Sequence, residues 1–193
     1  VEDWFNYACA IGQLQLVGGA EYCDAAPDTD ASDLNYPSIS IGELTGTQTV
    51  TRTVTNVNKS AMQYRAKVEA PAGITVKVVP DKITVRPGGS ATFTVTITRT
   101  DATAGEYAFG SLTWVPNSPK YESVRSPIAV KPVAVSAPAE VSGTGTSGSA
   151  DITVTPGITG TLTTDVDGLV SSAIETRTVT HAEPVITMAD LFT

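Results

Sequence analysis

The sequence has few of the side chains that carry chemistry, with one histidine, His181, and two cysteines, Cys9 and Cys23. That inventory excludes a metal centre built on several His or Cys ligands, and no cofactor is expected. Basic residues are scarce as well: 12 Lys and Arg against 20 Asp and Glu give a formal net charge of -8. An acidic surface repels polyanions, so nucleic acid is not expected as a partner. Apolar runs break off after a few residues, whereas a membrane-crossing helix needs roughly 20. No membrane partner is expected on that ground. The chain also lacks an initiator methionine and a signal-like basic-then-apolar start, and so reads as a piece of something longer.

Of the 193 residues, 41% are hydrophobic and 17% charged, which is enough apolar material for a core in one or two domains. Thr (29) and Val (22) together exceed a quarter of the chain. Both are β-branched and lose little by packing on a pleated surface, so a mainly β protein is expected.

Residues 1–36 differ from the rest. They hold five of the twelve aromatics (Trp4, Phe5, Tyr7, Tyr22, Tyr36) and seven acids, and the first basic residue is Arg52. Trp4, Phe5, Ala8 and Ile11 fall at helical spacings, which predicts a short helix with Asp3 as its cap and Gly12 ending it. A bridge between Cys9 and Cys23 would close a loop of roughly 15 residues, worth about 3 kcal/mol, and would imply an oxidising compartment. The alternative is two unrelated reduced thiols. Residues 24–33 (DAAPDTDASD) read as an exposed acidic connector, with a calcium site there as a minor alternative.

From Ile39 onward the pattern has period two. Phe93-Thr94-Val95-Thr96-Ile97-Thr98 puts large apolar residues on one face and Thr on the other, the mark of a half-buried strand. Residues 64–69, 74–78 and 82–86 alternate in the same way. Turn signals at 56–60, 71–73, 80–81, 87–89, 102–105 and 116–119 separate these runs. Seven or eight short strands in roughly 100 residues fit a two-sheet sandwich of immunoglobulin or fibronectin type III style. The missing inter-sheet cysteine pair favours the fibronectin-like variant. Residues 132–193 have seven acids against one base, no aromatic before Phe192 and a Gly/Ser/Thr run at 142–149. Short β-like runs at 152–154, 162–166 and 176–180 predict a second small β unit, which with so few large apolar residues either leans on the sandwich or is truncated.

Five strings then occur in order: Asp33-Leu34-Asn35-Tyr36-Pro37-Ser38, Thr51-Arg52-Thr53-Val54-Thr55-Asn56-Val57, Ala70-Pro71-Ala72-Gly73-Ile74-Thr75-Val76, Phe109-Gly110-Ser111-Leu112-Thr113-Trp114 and Val124-Arg125-Ser126-Pro127-Ile128-Ala129-Val130. Together they resemble the C-terminal fibronectin type III-like domain of cucumisin-type subtilases, which are secreted serine endopeptidases. Asn58 stands where that family usually has glycine. Residues 4–12 resemble, more weakly, the end of the family's catalytic domain. The resemblance covers about half the chain, roughly 33–130; taken with the composition and strand pattern it divides the chain into a remnant of the protease domain with an acidic linker at 1–36, a sandwich at 37–131 and the second unit at 132–193. The family's catalytic motifs lie upstream of the matched stretch, so it also implies that this chain carries no catalytic residue and that its partner is the protease domain of the parent.

Four smaller constellations stand apart from these strings. Gly145-Thr146-Ser147 looks like a subtilase nucleophile string, but Gly148-Ser149-Ala150 follows it and His181 is 34 positions away, so a flexible loop is expected. Asp165-Val166-Asp167-Gly168 opens like a calcium loop but lacks the later ligands, and a hairpin turn accounts for it. Asn58-Lys59-Ser60 is a glycosylation sequon in an expected turn, and otherwise simply a polar turn. Trp114, Tyr107 and Tyr121 could form an aromatic platform, but Trp114 shares strand parity with Leu112, which predicts a core position. The functional expectation is an accessory module that stabilises the protease domain or borders its cleft, with protein substrate as a further partner. Its alternatives are a protein- or carbohydrate-binding module and a structural spacer.

Overall fold

The alternating residues build two facing sheets. The computed structural model describes residues 2–16, 20–27, 29–138, 140–142, 149–165, 175–179 and 186–188. Three helices, α1 (Glu2–Ala10), α2 (Gln13–Leu16) and α3 (Ala20–Ala25), and a 3-10 turn at Ala31–Asp33 form an N-terminal arm. Eight strands follow: β1 (Ile39–Leu44), β2 (Thr47–Thr55), β3 (Met62–Glu69), β4 (Ile74–Val79), β5 (Lys82–Val85), β6 (Ser90–Arg99), β7 (Ala108–Pro116) and β8 (Val124–Pro132). They form a five-stranded sheet in the order β1-β8-β7-β3-β5 and a three-stranded sheet in the order β2-β6-β4. Every pairing is antiparallel except that of β1 with β8, which is parallel.

Side-chain alternation explains why the two sheets stack. Val50, Phe93, Val95, Ile97, Ile74 and Val78 face inward from the smaller sheet and meet Ile39, Ile41, Leu112, Trp114, Ile128 and Val130 from the larger. Full burial of such side chains contributes about 1.5–3 kcal/mol each. Trp114 is 2% exposed and packs edge-on against Phe93, their ring centroids 4.9 Å apart. The outer face of the smaller sheet is covered by hydroxyls. Thr49 bonds Thr96 (2.9 Å), Thr53 bonds Thr92 (2.9 Å) and Thr55 bonds Ser90 (2.8 Å) across β2 and β6.

One glycine explains a whole string. Gly73 sits at φ +67°, a region that other residues avoid. A Cβ there would collide with the Ala102 backbone, and the Gly73 carbonyl accepts the amides of Thr100 (2.9 Å) and Ala102 (3.2 Å).

The described part of the tail adds β9 (Val135–Ser136), β10 (Ile152–Pro156), β11 (Gly160–Thr164), β12 (Glu175–Val179) and β13 (Ile186–Met188). β10 pairs with β9 and β13, and β11 pairs with β12. The tail is stitched to the sandwich where Val133 N–H donates to the Leu44 carbonyl (3.1 Å) and the Ser136 hydroxyl donates to Glu43 (2.6 Å). Val154 is buried.

Two local expectations change. Asp3 lies inside the first turn of α1 beside Glu2 rather than capping it, where a carboxylate still complements the helix dipole. The expected exposed connector at 24–33 begins inside α3, which takes in Asp24 and Ala25, and is tied to β2 through Asp30 and Asp33.

Candidate functional site

The arm is held at two levels. Within it, Cys9 and Cys23 form a disulfide with Cα atoms 5.3 Å apart, which ties α1 to α3. α1 ends as expected, with Gly12 at φ +74° and its amide on the Cys9 carbonyl (2.9 Å). Between arm and sandwich, side chains close the otherwise open edge of β2. Asn35 pairs with Thr53 like a neighbouring strand, accepting its N–H at 2.9 Å and donating to its carbonyl at 3.0 Å. Asp33 accepts the Thr51 N–H at 2.6 Å. Gln48 donates to Asp30 and to the Ser32 hydroxyl, both at 2.8 Å. The string Asp33-Leu34-Asn35 is therefore an edge cover, which satisfies backbone groups that would otherwise invite strand pairing.

Arg52 within β2 and Asn56 just past its end share the inward parity of Val50. Both are buried, with Arg52 6% exposed. Asn56 organises two turns: its amide donates to the carbonyls of Ser60 (2.8 Å) and Val85 (2.9 Å), and its side-chain oxygen accepts the Asn58 N–H (2.9 Å). Asn58, the sequon residue, sits half-buried on that turn. Sequence reasoning overlooked both buried polar residues, although a polar residue at an apolar parity is a visible signal.

Arm and sandwich enclose an open cavity of about 530 Å³, lined among others by Trp4, Tyr7, Tyr36, Ser40, Gln48 and Arg52. Trp4 meets Tyr7 and Tyr36 edge-on, with centroids 5.9 and 6.2 Å apart. These rings stay largely uncovered, Trp4 at 55% and Tyr36 at 54% exposure, and Phe5, Ile11 and Tyr22 extend the apolar surface. α1 buries none of its residues. A helix with that much uncovered aromatic surface is unusual for an isolated domain.

Burial works against the charge of Asp30, but bonds from Ser32 and Gln48 and the nearby Arg52 outweigh it and hold its carboxyl below the ordinary value of 3.8. A carboxyl lowered by folding stabilises the folded arm above its unfolded pKa and loses that effect as pH falls through the folded value. Thermal melts from pH 7 to pH 3 should therefore show the arm loosening only below about pH 4, the ordinary carboxylate range. Asp30→Asn should blunt that acid loss, and an unchanged acid profile in the variant would refute the role of Asp30.

The other sequence-derived positions are dispersed. Trp114 is core, whereas Tyr107 stacks on the exposed Phe109 (6.1 Å) near Lys131, so the three-ring platform does not assemble. Ser147, His181 and Asp167 lie outside the described residues. Among the described residues no cluster of three His, Cys, Asp or Glu is placed to hold a metal.

Two facing sheets with a parallel first strand, an edge cover and an uncovered aromatic arm define a β-sandwich module with an exposed apolar patch on its N-terminal side. The model of the fibronectin type-III domain matches residues 33–130, and the chain belongs to that family. It is 36% identical over 138 residues to "Subtilisin-like protease SBT5.3" of Arabidopsis thaliana, an alignment that covers 68% of this chain and 17% of that protein. It is 37% identical over 135 residues to "Subtilisin-like serine-protease S" of Lotus japonicus, covering 67% and 17%. The chain is thus homologous to the C-terminal region of subtilisin-like proteases and spans about a sixth of the length of these relatives. Among solved structures, the Pseudomonas aeruginosa CupB2 chaperone aligns with 81% of this chain and 86% of its own, at 14% identity and a TM-score of 0.41.

Proposed function

We propose that this chain is the non-catalytic accessory module of a secreted subtilisin-like serine endopeptidase, docking through its aromatic arm on the protease domain and holding that domain in its working form. The observation that carries this is the uncovered patch of Trp4, Phe5, Ile11, Tyr22 and Tyr36 on an arm that is itself bridged and fastened to β2. An arm ordered so firmly yet left bare suits a surface that meets a partner as a rigid body. In this reading residues 37–131 are the sandwich, residues 132–193 are a second β unit propped on it, and the disulfide fits an oxidising, extracellular setting. Asn58, on an ordered turn, would carry a glycan if the protein passes through a eukaryotic secretory pathway.

A second reading has one observation behind it. Tyr107 and the 71% exposed Phe109 border a shallow cavity at the loop end of the sandwich with Asp101 and Glu106. Such a site would capture protein substrate. The test is to make Trp4→Ala and Tyr36→Ala in the full-length protein that carries this chain. Docking predicts a lowered thermal midpoint for the protease domain, about 2 kcal/mol per aromatic anchor, with parallel loss of short-peptide and folded-protein turnover. If these variants change neither midpoint nor turnover, docking is wrong. Loss of folded-protein turnover alone, on Phe109→Ala, would favour substrate capture.

A further inference from the structure

Arg52 is a buried charge without an ion-pair partner. Among the described residues no carboxylate oxygen lies within 4.0 Å of its guanidinium. One N–H goes to the Thr51 carbonyl at 2.8 Å, another reaches the Ser38 carbonyl at 3.4 Å, and Nε is buried with no acceptor. The neighbouring carboxylates are engaged elsewhere: Asp33 accepts the Thr51 amide, and the two oxygens of Asp30 accept the Ser32 amide and the Gln48 side chain. Burial lowers the pKa of the guanidinium, and the charges of Asp33 and then Asp30 oppose that effect without making direct contact. Each terminal nitrogen keeps one N–H beyond those two bonds, and such a pair is matched by a carboxylate, which accepts two parallel N–H bonds.

Arg52 lines the arm–sandwich cavity. Asp30 and Glu43 line it too, so charge alone does not hold an anion there and the occupant must also gain from apolar contact. Trp4, Ile11, Leu34 and Tyr36 give the same cavity an apolar rim. A carboxylate delivered by a segment with apolar neighbours satisfies both halves. We propose that this cavity is a socket for one Asp or Glu side chain of the protease domain, its carboxylate meeting Arg52 while the flanking residues lie on Trp4 and Tyr36. This rests on the docking reading and adds the chemistry of the contact.

The test is zero-length coupling in the full-length protein. Arg52→Lys places an amine in the socket, and a water-soluble carbodiimide joins an amine to a carboxyl only when the two touch. Peptide mapping by mass spectrometry should find one dominant cross-link from position 52 to an Asp or Glu outside residues 1–193. Ser40→Lys, an exposed substitution on the same cavity wall, should reach the same carboxyl and serves if the first variant does not fold. Thr75→Lys, on the outer face of the smaller sheet, should not. Cross-links confined to Asp30, Asp33 or Glu43, or none from either socket variant, overturn the socket. Docking would then still stand on the Trp4 and Tyr36 variants, so the two failures are distinguishable.

Discussion

Replacing Trp114 with alanine is expected to cost about 3–5 kcal/mol, the range for emptying a buried aromatic site. Trp114 is 2% exposed, sits on Phe93, stands opposite Ala66 of β3 and shares its strand with the fully buried Leu112. The strands around it are paired on both sides, so the site has little freedom to collapse. A domain of this kind has roughly 5–15 kcal/mol in hand, and the variant should lose a large part of it. Denaturant unfolding should show a lower midpoint with an unchanged slope. Trp114→Phe is the informative partner. The indole N–H is buried without an acceptor, so phenylalanine keeps most of the packing and removes an unsatisfied donor. If phenylalanine costs as much as alanine, the packing argument fails.

The second large effect concerns the arm. Cys9→Ala with Cys23→Ala removes the bridge and is expected to cost about 3 kcal/mol for a loop of this length. Because α1 buries no residue, the loss should fall on the arm alone. Hydrogen exchange should show α1 to α3 losing protection while β2, β6 and β7 keep theirs. Equal loss in the core strands would mean that arm and sandwich unfold as one unit.

The sandwich was legible because its signal is periodic. Phe93, Val95 and Ile97 point inward as their alternation requires, and the expected seven or eight strands of the sandwich are β1 to β8. Trp114 was placed correctly by its parity with Leu112. The small helices α2 and α3 escaped because each spans only four to six residues, too few to show a period of 3.6. The edge cover escaped for a different reason. Asp30, Asp33 and Asn35 look like ordinary polar linker residues, and their role appears only when Gln48, Thr51 and Thr53 are brought alongside. The socket was half visible: Arg52 interrupts an inward row of β2, yet nothing in the chain says that its charge would remain unpaired.

The parallel pairing of β1 with β8 has a mechanical side. The chain enters the sandwich at Ile39 and leaves at Pro132, with Ile39 opposite Ile128 and Leu44 opposite Pro132. Tension applied between the arm and the tail therefore slides these two strands along each other and loads their hydrogen bonds together, whereas a terminal hairpin would unzip one bond at a time. A pull on the two ends of the sandwich would therefore be carried across it before these strands part.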